Sequence, residues 1–342
     1  MKRFLCRLSF LLLLFVGVHL LLVLAIPADR NQYLNAFNQK LQLLASTPSP
    51  RIVFIGGSNT AFDIDSRMVE DSLGLHVVNY GLHGGIGLRY PLTEALPWLR
   101  AGDIVVLQAE YANYFEETCN AETMPKLMVA TQWRGATRLT AAEWKAVITG
   151  MPMLALSHLK RLLLCPFRKS LDTPVPHSHF SYTACGFNAY GDEVSHLRFP
   201  GSYAASPYKE TRPVREEFIG WLRSVLHDME QRGIKLVMLP PACVDSYFKG
   251  HYRNDIAHAL QAIGYPYVTS PQSMTLPDSL AFDSGYHLNQ QGVEKNTKRM
   301  IEYLRVYLGG DKDEEKNASI LGCQEKNAYI CTKIASTCHL KD

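Results

Sequence analysis

The sequence predicts an α/β domain, a three-layer α/β/α arrangement around a mainly parallel, five-stranded sheet, tethered by an N-terminal apolar helix. Three observations predict it. Short runs rich in β-branched residues alternate with longer segments of helical spacing, which implies right-handed crossovers and a parallel sheet. The first run, Ile52-Val53-Phe54-Ile55, is apolar throughout, as a strand buried on both faces must be. Residues 8–26 form an almost unbroken apolar stretch behind Lys2, Arg3 and Arg7.

The elements follow in chain order. The stretch 8–26 is long enough to span a bilayer as one helix. Its basic flank predicts a cytoplasmic N-terminus with the rest of the chain outside. A cleaved signal peptide is the other reading. Pro27-Ala28 ends the run without a clean small-x-small site, so residues 1–27 are expected to remain as a single-pass anchor. Cys6 stands too early for a lipoprotein attachment site. Residues 28–50 read as a linker. Leu34, Phe37, Leu41 and Leu44 have helical spacing over 29–44, and Thr47-Pro48-Ser49-Pro50 stops the helix. Strands are expected at 52–55, 77–80, 104–108 and 234–239, with a short last one at 267–269. Helices are expected at 61–73, around 90–99, and at 214–232, 252–263 and 293–308.

Between 112 and 211 the alternation fails. This stretch holds Trp133, Trp144, Met151-Pro152-Met153, Lys160-Arg161 and a Pro/His/Ser segment at 173–182. It reads as a cap inserted beside the site, where substrate specificity tends to reside. Within it, 154–164 reads as a core helix. The domain therefore spans 51–310, followed by a charged, cysteine-containing tail at 311–342.

Composition narrows the function. A chain of 342 residues is long enough for one large α/β domain with an insertion. The net charge is +3 with 20% charged residues and no basic run, which argues against nucleic acid as a partner. The eight cysteines show no Cys-x-x-Cys and no His/Cys cluster at zinc spacing, so no metal and no cofactor are expected. His177 and His179 read as solvated loop histidines. Outside the cytoplasm some cysteines can pair. Cys323, Cys331 and Cys338 have each other, Cys119, Cys165, Cys185 and Cys243 as partners, and the sequence leaves the choice open. The charge run 311–316 reads as a solvated linker, and Asn317-Ala318-Ser319 fits a glycosylation sequon.

The chemistry lies at the two ends of the domain. Gly56-Gly57 breaks the first strand and Ser58-Asn59-Thr60 opens a helix. Ser58 then sits beside free N–H groups and the positive end of a helix dipole, where a nucleophilic hydroxyl and its oxyanion are stabilised. The bland alternative makes Ser58 an N-cap. Far along the chain, Phe282-Asp283-Ser284-Gly285-Tyr286-His287-Leu288-Asn289 precedes the last helix. His287 can act as general base and Asp283 as its orienting acceptor.

Taken together these segments resemble the SGNH (GDSL-type) hydrolases. Gly56-Gly57-Ser58-Asn59 is similar to the block carrying the nucleophile, 77–85 to the glycine-turn block, and Tyr286-His287-Leu288-Asn289 to the histidine block. The resemblance implies a flavodoxin-like sheet, catalytic Ser58, His287 and Asp283, and an oxyanion hole from the N–H groups of Ser58 and Gly84. Asn59, Tyr111 and Tyr286 become candidate substrate contacts. Two departures stand out. Glu110 occupies the place of the family's oxyanion Asn, and a carboxylate donates no hydrogen bond unless protonated. The third donor is therefore absent, supplied by Gln108, or not needed. Ser284 stands where the family has its Asp, three residues before the histidine, so Asp283 completes a triad or the site works as a Ser58–His287 dyad.

The departures and the anchor resemble membrane-tethered SGNH-like proteins of bacterial envelope-polysaccharide acylation. Asn188-Ala189-Tyr190-Gly191-Asp192 is similar to a segment such proteins carry. The resemblance implies an extracytoplasmic domain on the bacterial inner membrane, an O-acylated polysaccharide as substrate and a membrane-bound O-acyltransferase as partner. The other expectation is a non-catalytic polysaccharide-binding or assembly protein on the same fold.

Overall fold

The computed structural model describes residues 1–25, 32–164 and 182–309. Among the described residues four strands build the main sheet: β1 (Arg51–Gly56), β2 (His76–Asn79), β3 (Ile104–Gln108) and β4 (Lys235–Met238). They pair in the order β2-β1-β3-β4, all parallel, with Val53 opposite Val78 on one side and Val105 on the other. The helices, in chain order, are α1 (Lys2–Ala25), α2 (Ala36–Ser46), α3 (Ser58–Phe62), α4 (Ser66–Leu73), α5 (Arg89–Ala95) and α6 (Met124–Ala130). They continue with α7 (Ala141–Leu164), α8 (Glu216–Gln231), α9 (Asp245–His251), α10 (Asn254–Ala262) and α11 (Gln290–Gly309).

Strand alternation divides the core into two layers. Val53, Ile55, Val105 and Leu107 face one, which α2, α5 and α8 close with Phe37, Leu92 and Leu222. Ile52, Phe54, Ile104 and Val106 face the other, closed by Val69 of α4 and by Met300 and Leu304 of α11. The strand order reverses between β1 and β3. In an open parallel sheet that is the crevice where ligands bind, beyond the carboxyl ends of the strands.

The sheet has four strands where five were expected. At 267–269 a single hydrogen bond survives, from Val268 N to Met238 O at 2.9 Å. In a parallel ladder the N–H groups facing one neighbour recur every second residue, and two before Val268 stands Pro266, which has none. A separate two-residue pair forms instead, β5 (Cys243–Val244) with β6 (Thr275–Leu276). The helix expected at 61–73 is two helices. Asp65 caps α4, accepting from Met68 N at 3.0 Å, while Asp63 turns into the core. The other expected elements are present with ends shifted by a few residues, α6, the first half of α7 and α9 are additions, and the start of the 29–44 helix falls partly outside the described residues.

By length and composition α1 can cross a membrane, and its apolar side chains are exposed as far as Val18 and at Leu21, while Val23 near its end is buried. The expected core helix at 154–164 is the second half of α7, and it is no core helix. Leu154, Ala155 and His158 are buried, the first two against Val23 of α1, while Leu156, Leu162 and Leu163 are exposed. The segment 173–181 with His177 and His179, the tail 310–342 with its three cysteines and its sequon, and Cys165 lie outside the described residues. Cys119 and Cys243 are buried thiols, and burial pushes Cys119 up to about 12.

The segment 188–192 clamps the edge of the sheet. Asp192 accepts hydrogen bonds from Ser66 N (3.0 Å), Ser66 Oγ (2.5 Å), Asn79 Nδ2 (2.9 Å) and Asn188 Nδ2 (3.0 Å). The buried Lys40 ammonium donates to Asn79 O at 3.0 Å and to Gly191 O. Removing one member leaves the rest desolvated and unpaired. Asp192→Ala is expected to cost about 3 kcal/mol of stability. Urea unfolding of the detergent-solubilised chain checks this, with a lower midpoint at unchanged slope.

Candidate active site

The site forms where β1 and β3 end. Ser58 is the first residue of α3, and Gly57 rather than Ser58 is its N-cap. The serine side chain is thus not used as a cap. Asn59 is buried and braces the turn: its Oδ1 accepts from Gly57 N at 3.1 Å and its Nδ2 donates to Gln108 O at 3.3 Å.

The Glu110 carboxyl reaches into this turn from the end of β3. Its Oε1 accepts from Ser58 N at 3.0 Å, Ser58 Oγ at 3.4 Å and Asn59 N at 3.5 Å. Gly57 and Gly84 press against the same carboxyl, and a Cβ at either position would collide with it. A carboxylate oxygen therefore sits on the Ser58 N–H, one of the two expected to hold an oxyanion. Burial pushes the Glu110 pKa up, while the charge of His287 and the hydrogen bonds from Asn59 and Ser58 pull it back in part.

The histidine comes from a tight turn closed by Phe282 N donating to His287 O at 2.6 Å. His287 Nδ1 lies 2.7 Å from Asp283 Oδ1. Tyr182 Oη donates to Asp283 Oδ2 at 2.6 Å and lies 3.1 Å from the same Nδ1. Burial opposes the charge on Asp283, but the hydrogen bond and charge of His287, with the Tyr182 hydroxyl, outweigh it and hold the carboxylate below its ordinary pKa. With Asp283 ionised, Nδ1 carries the proton and Nε2 is left as the basic nitrogen. The Phe62 ring stacks on the imidazole with centroids 4.1 Å apart. Phe62 lies one turn of α3 from Ser58, and Glu110 joins the two sides, bonded by the Ser58 hydroxyl and acted on by the charge of His287. No hydrogen bond joins Ser58 to His287 in this structure, where the Ser58 hydroxyl is turned to Glu110.

Two bonds fix the histidine turn directly and a third ties its anchor Asp63 to α11. Leu288 N donates to Asp63 Oδ1 at 2.8 Å, Asn296 Nδ2 donates to Asp63 O at 2.8 Å, and Tyr111 N donates to Tyr286 Oη at 2.7 Å. His196 supports it from outside, with Nε2 3.0 Å from Leu288 O.

The structure therefore brings Ser58, Gly84, Glu110, Asp283 and His287 together and moves four expected residues out of the site. Tyr111 is fully buried at 0% exposure and Tyr286 at 6%, so neither reaches a substrate. Each is needed in the core, where the phenol of one accepts the amide of the other. Asn59 is spent on the turn. Gln108 follows Ile104 and Val106 into the layer closed by α11, its amide 3.8 Å from Met300 Sδ, because it lies one residue out of phase with Leu107. It supplies no oxyanion donor. Asp63, Phe62, Tyr182 and His196 were not singled out by the sequence. Asp63 alone left a signal, an acidic residue interrupting an expected helix. Among the described residues no group of three His, Cys, Asp or Glu side chains is arranged to hold a metal.

Compared with family models, curated proteins and solved structures, the chain matches none of them.

A raised carboxyl pKa means that folding favours the protonated form. The stability Glu110 contributes is present at low pH and lost as pH rises through its raised pKa. Glu110→Gln keeps the acceptor oxygen and removes the titration. Its melting temperature is expected to exceed that of the wild type at pH 8, with the difference vanishing below the ordinary carboxyl value of 4.5. Paired thermal scans across pH measure this.

Proposed function

We propose that the chain is a serine esterase or acyltransferase of the SGNH (GDSL) type. It acts on O-acyl groups, foremost O-acetyl, of a cell-envelope polysaccharide from the outer side of a bacterial inner membrane. The observation that carries this reading is the Asp283–His287 pair at 2.7 Å, set beside a serine at the mouth of the β1/β3 crevice. A scaffold has no need of an oriented imidazole next to a hydroxyl on a strand-to-helix turn.

Ser58 Oγ bonds to the ester carbonyl carbon and gives its proton to His287 Nε2. The carbonyl oxygen takes the negative charge and rests on the N–H groups of Ser58 and Gly84, the first of which the Glu110 carboxyl must vacate. The bond to the leaving alcohol breaks and His287 returns the proton to its oxygen. Water or a sugar hydroxyl then attacks the acyl-enzyme, His287 takes its proton, and Ser58 leaves with it. Hydrolysis and transfer differ only in which acceptor arrives. A membrane-bound O-acyltransferase is the partner that this setting suggests.

A fluorophosphonate probe on the full chain in detergent tests the reading. Labelling is expected at Ser58, absent in Ser58→Ala and slowed by about 10²–10⁴-fold in His287→Ala. Glu110→Gln, with its charge removed from the oxyanion cradle, is expected to label faster than the wild type. A folded protein that labels neither as wild type nor as Glu110→Gln would sink the reading.

One observation favours a second reading, a non-catalytic polysaccharide-binding or assembly role: Ser58 is bonded to Glu110 rather than to His287. It predicts that Ser58→Ala and His287→Ala leave the acyl content of the cell-surface polymer unchanged. The esterase reading predicts that both variants change it.

A further inference from the structure

One helix of the domain has an apolar face that none of the described residues covers. On α7, Ile148, Pro152, Leu156 and Leu163 recur at i, i+4, i+8 and i+15, a single stripe, and all four are exposed, with Ile148 at 64% and Leu163 at 63%. The stripe is not the packed side of the helix. That side is Leu154, Ala155 and His158, seated against the end of α1 through Val23, with His158 Nδ1 3.1 Å from Leu22 O. The two stripes lie side by side, so the exposed one continues the apolar surface of α1.

The charge pattern says what covers it. Between Lys145 and Lys160, both exposed, α7 carries no Asp, Glu, Lys or Arg. An uncharged run of roughly 10–14 residues is too short to span a bilayer and has the length of a core helix or an interfacial one. Exposure rules out the core. Flanking lysines suit an interfacial helix, because their long stems lie along apolar surface while the ammonium reaches the headgroups. Ser157 lies on the other exposed flank of α7, about 100° around the helix from Leu156 and beside Met153, which is exposed as well.

We propose that α7 is a second, in-plane membrane contact: its Ile148–Leu163 stripe lies in the interfacial layer of the bilayer that α1 crosses. The inference rests on α1 being a membrane span and is independent of the reaction at Ser58. It also sets how the domain stands. The inner side of α7 presses Gly150 against Ala121 O, and the adjacent Asn120 N donates to Gly85 O at 3.0 Å in the oxyanion turn. The site is then held one layer of protein above the lipid.

The test uses the full chain in phosphatidylcholine vesicles with and without brominated acyl chains, which quench tryptophan on contact. Leu156→Trp and Leu163→Trp are read as differences from the wild type, with its four tryptophans. Leu12→Trp reports on α1 and Ser157→Trp on the other exposed flank of α7. The expected result is blue-shifted emission and loss of most of the added fluorescence in brominated lipid at 156, 163 and 12, with little loss at 157. Quenching at 12 without quenching at 156 and 163 overturns the proposal. Blue-shifted but unquenched emission at 156 and 163 also overturns it, since protein then covers the stripe. Equal quenching at 157 means a helix immersed on all sides, not lying in the surface. No quenching at 12 removes the span itself, and the proposal falls with it.

Discussion

The buried carboxylate of Asp63 is the constraint on which the site depends. Its Oδ1 accepts the amide of Leu288 and its backbone carbonyl accepts the side chain of Asn296. Through these bonds the end of the serine helix grips both the histidine turn and the last helix. Burial raises the pKa of Asp63 well above its ordinary value, against the pull of the Leu288 amide. Such a group is costly to bury and is retained where it fixes one arrangement among several. Here it fixes the distance between a strand-end serine and a histidine from the far end of the chain. The adjacent Phe62 ring, stacked on the imidazole, then sets the tilt of the base.

Glu110 sets the opposing tension. It accepts from the amides at the head of the serine helix, which makes the resting site self-complementary. An oxyanion and a carboxylate oxygen make the same demand on those amides, so one displaces the other. The carboxyl is itself pulled in two directions, towards neutrality by burial and towards charge by His287 and the helix amides. The state of this one side chain therefore decides whether the amides at the head of the serine helix are occupied or free.

Much of the architecture was legible because it rests on local pattern. The apolar runs at 52–55 and 104–108 are strands, the glycine pair does end the first of them, and Asp283 does reach His287 across four residues. What was not legible depends on long-range partners. Tyr111 and Tyr286 looked like substrate contacts because they flank motif residues, yet a bond between elements 175 residues apart puts both in the core. Gln108 looked like a spare donor until strand phase turned it to the other layer. The fifth strand failed on one proline, whose effect shows only once the neighbouring strand is known. Tyr182 and His196 come from the end of the inserted region, where no periodicity announces a role. The second half of α7 read as core because apolar spacing alone does not say whether protein or lipid lies opposite.

The Asp63–Leu288 bond spans 225 residues, and this separation orders events during biosynthesis. Contacts so distant along the chain form late, after loop closure over most of the domain. As the chain emerges from its N-terminus, β1, the serine helix, β2 and β3 appear first, with the amides at the head of that helix already made and Glu110 ready to occupy them. The base arrives only with the last helix. For nearly the whole of its synthesis the protein thus carries a stoppered hydroxyl with no imidazole beside it. The site becomes complete only when the domain is.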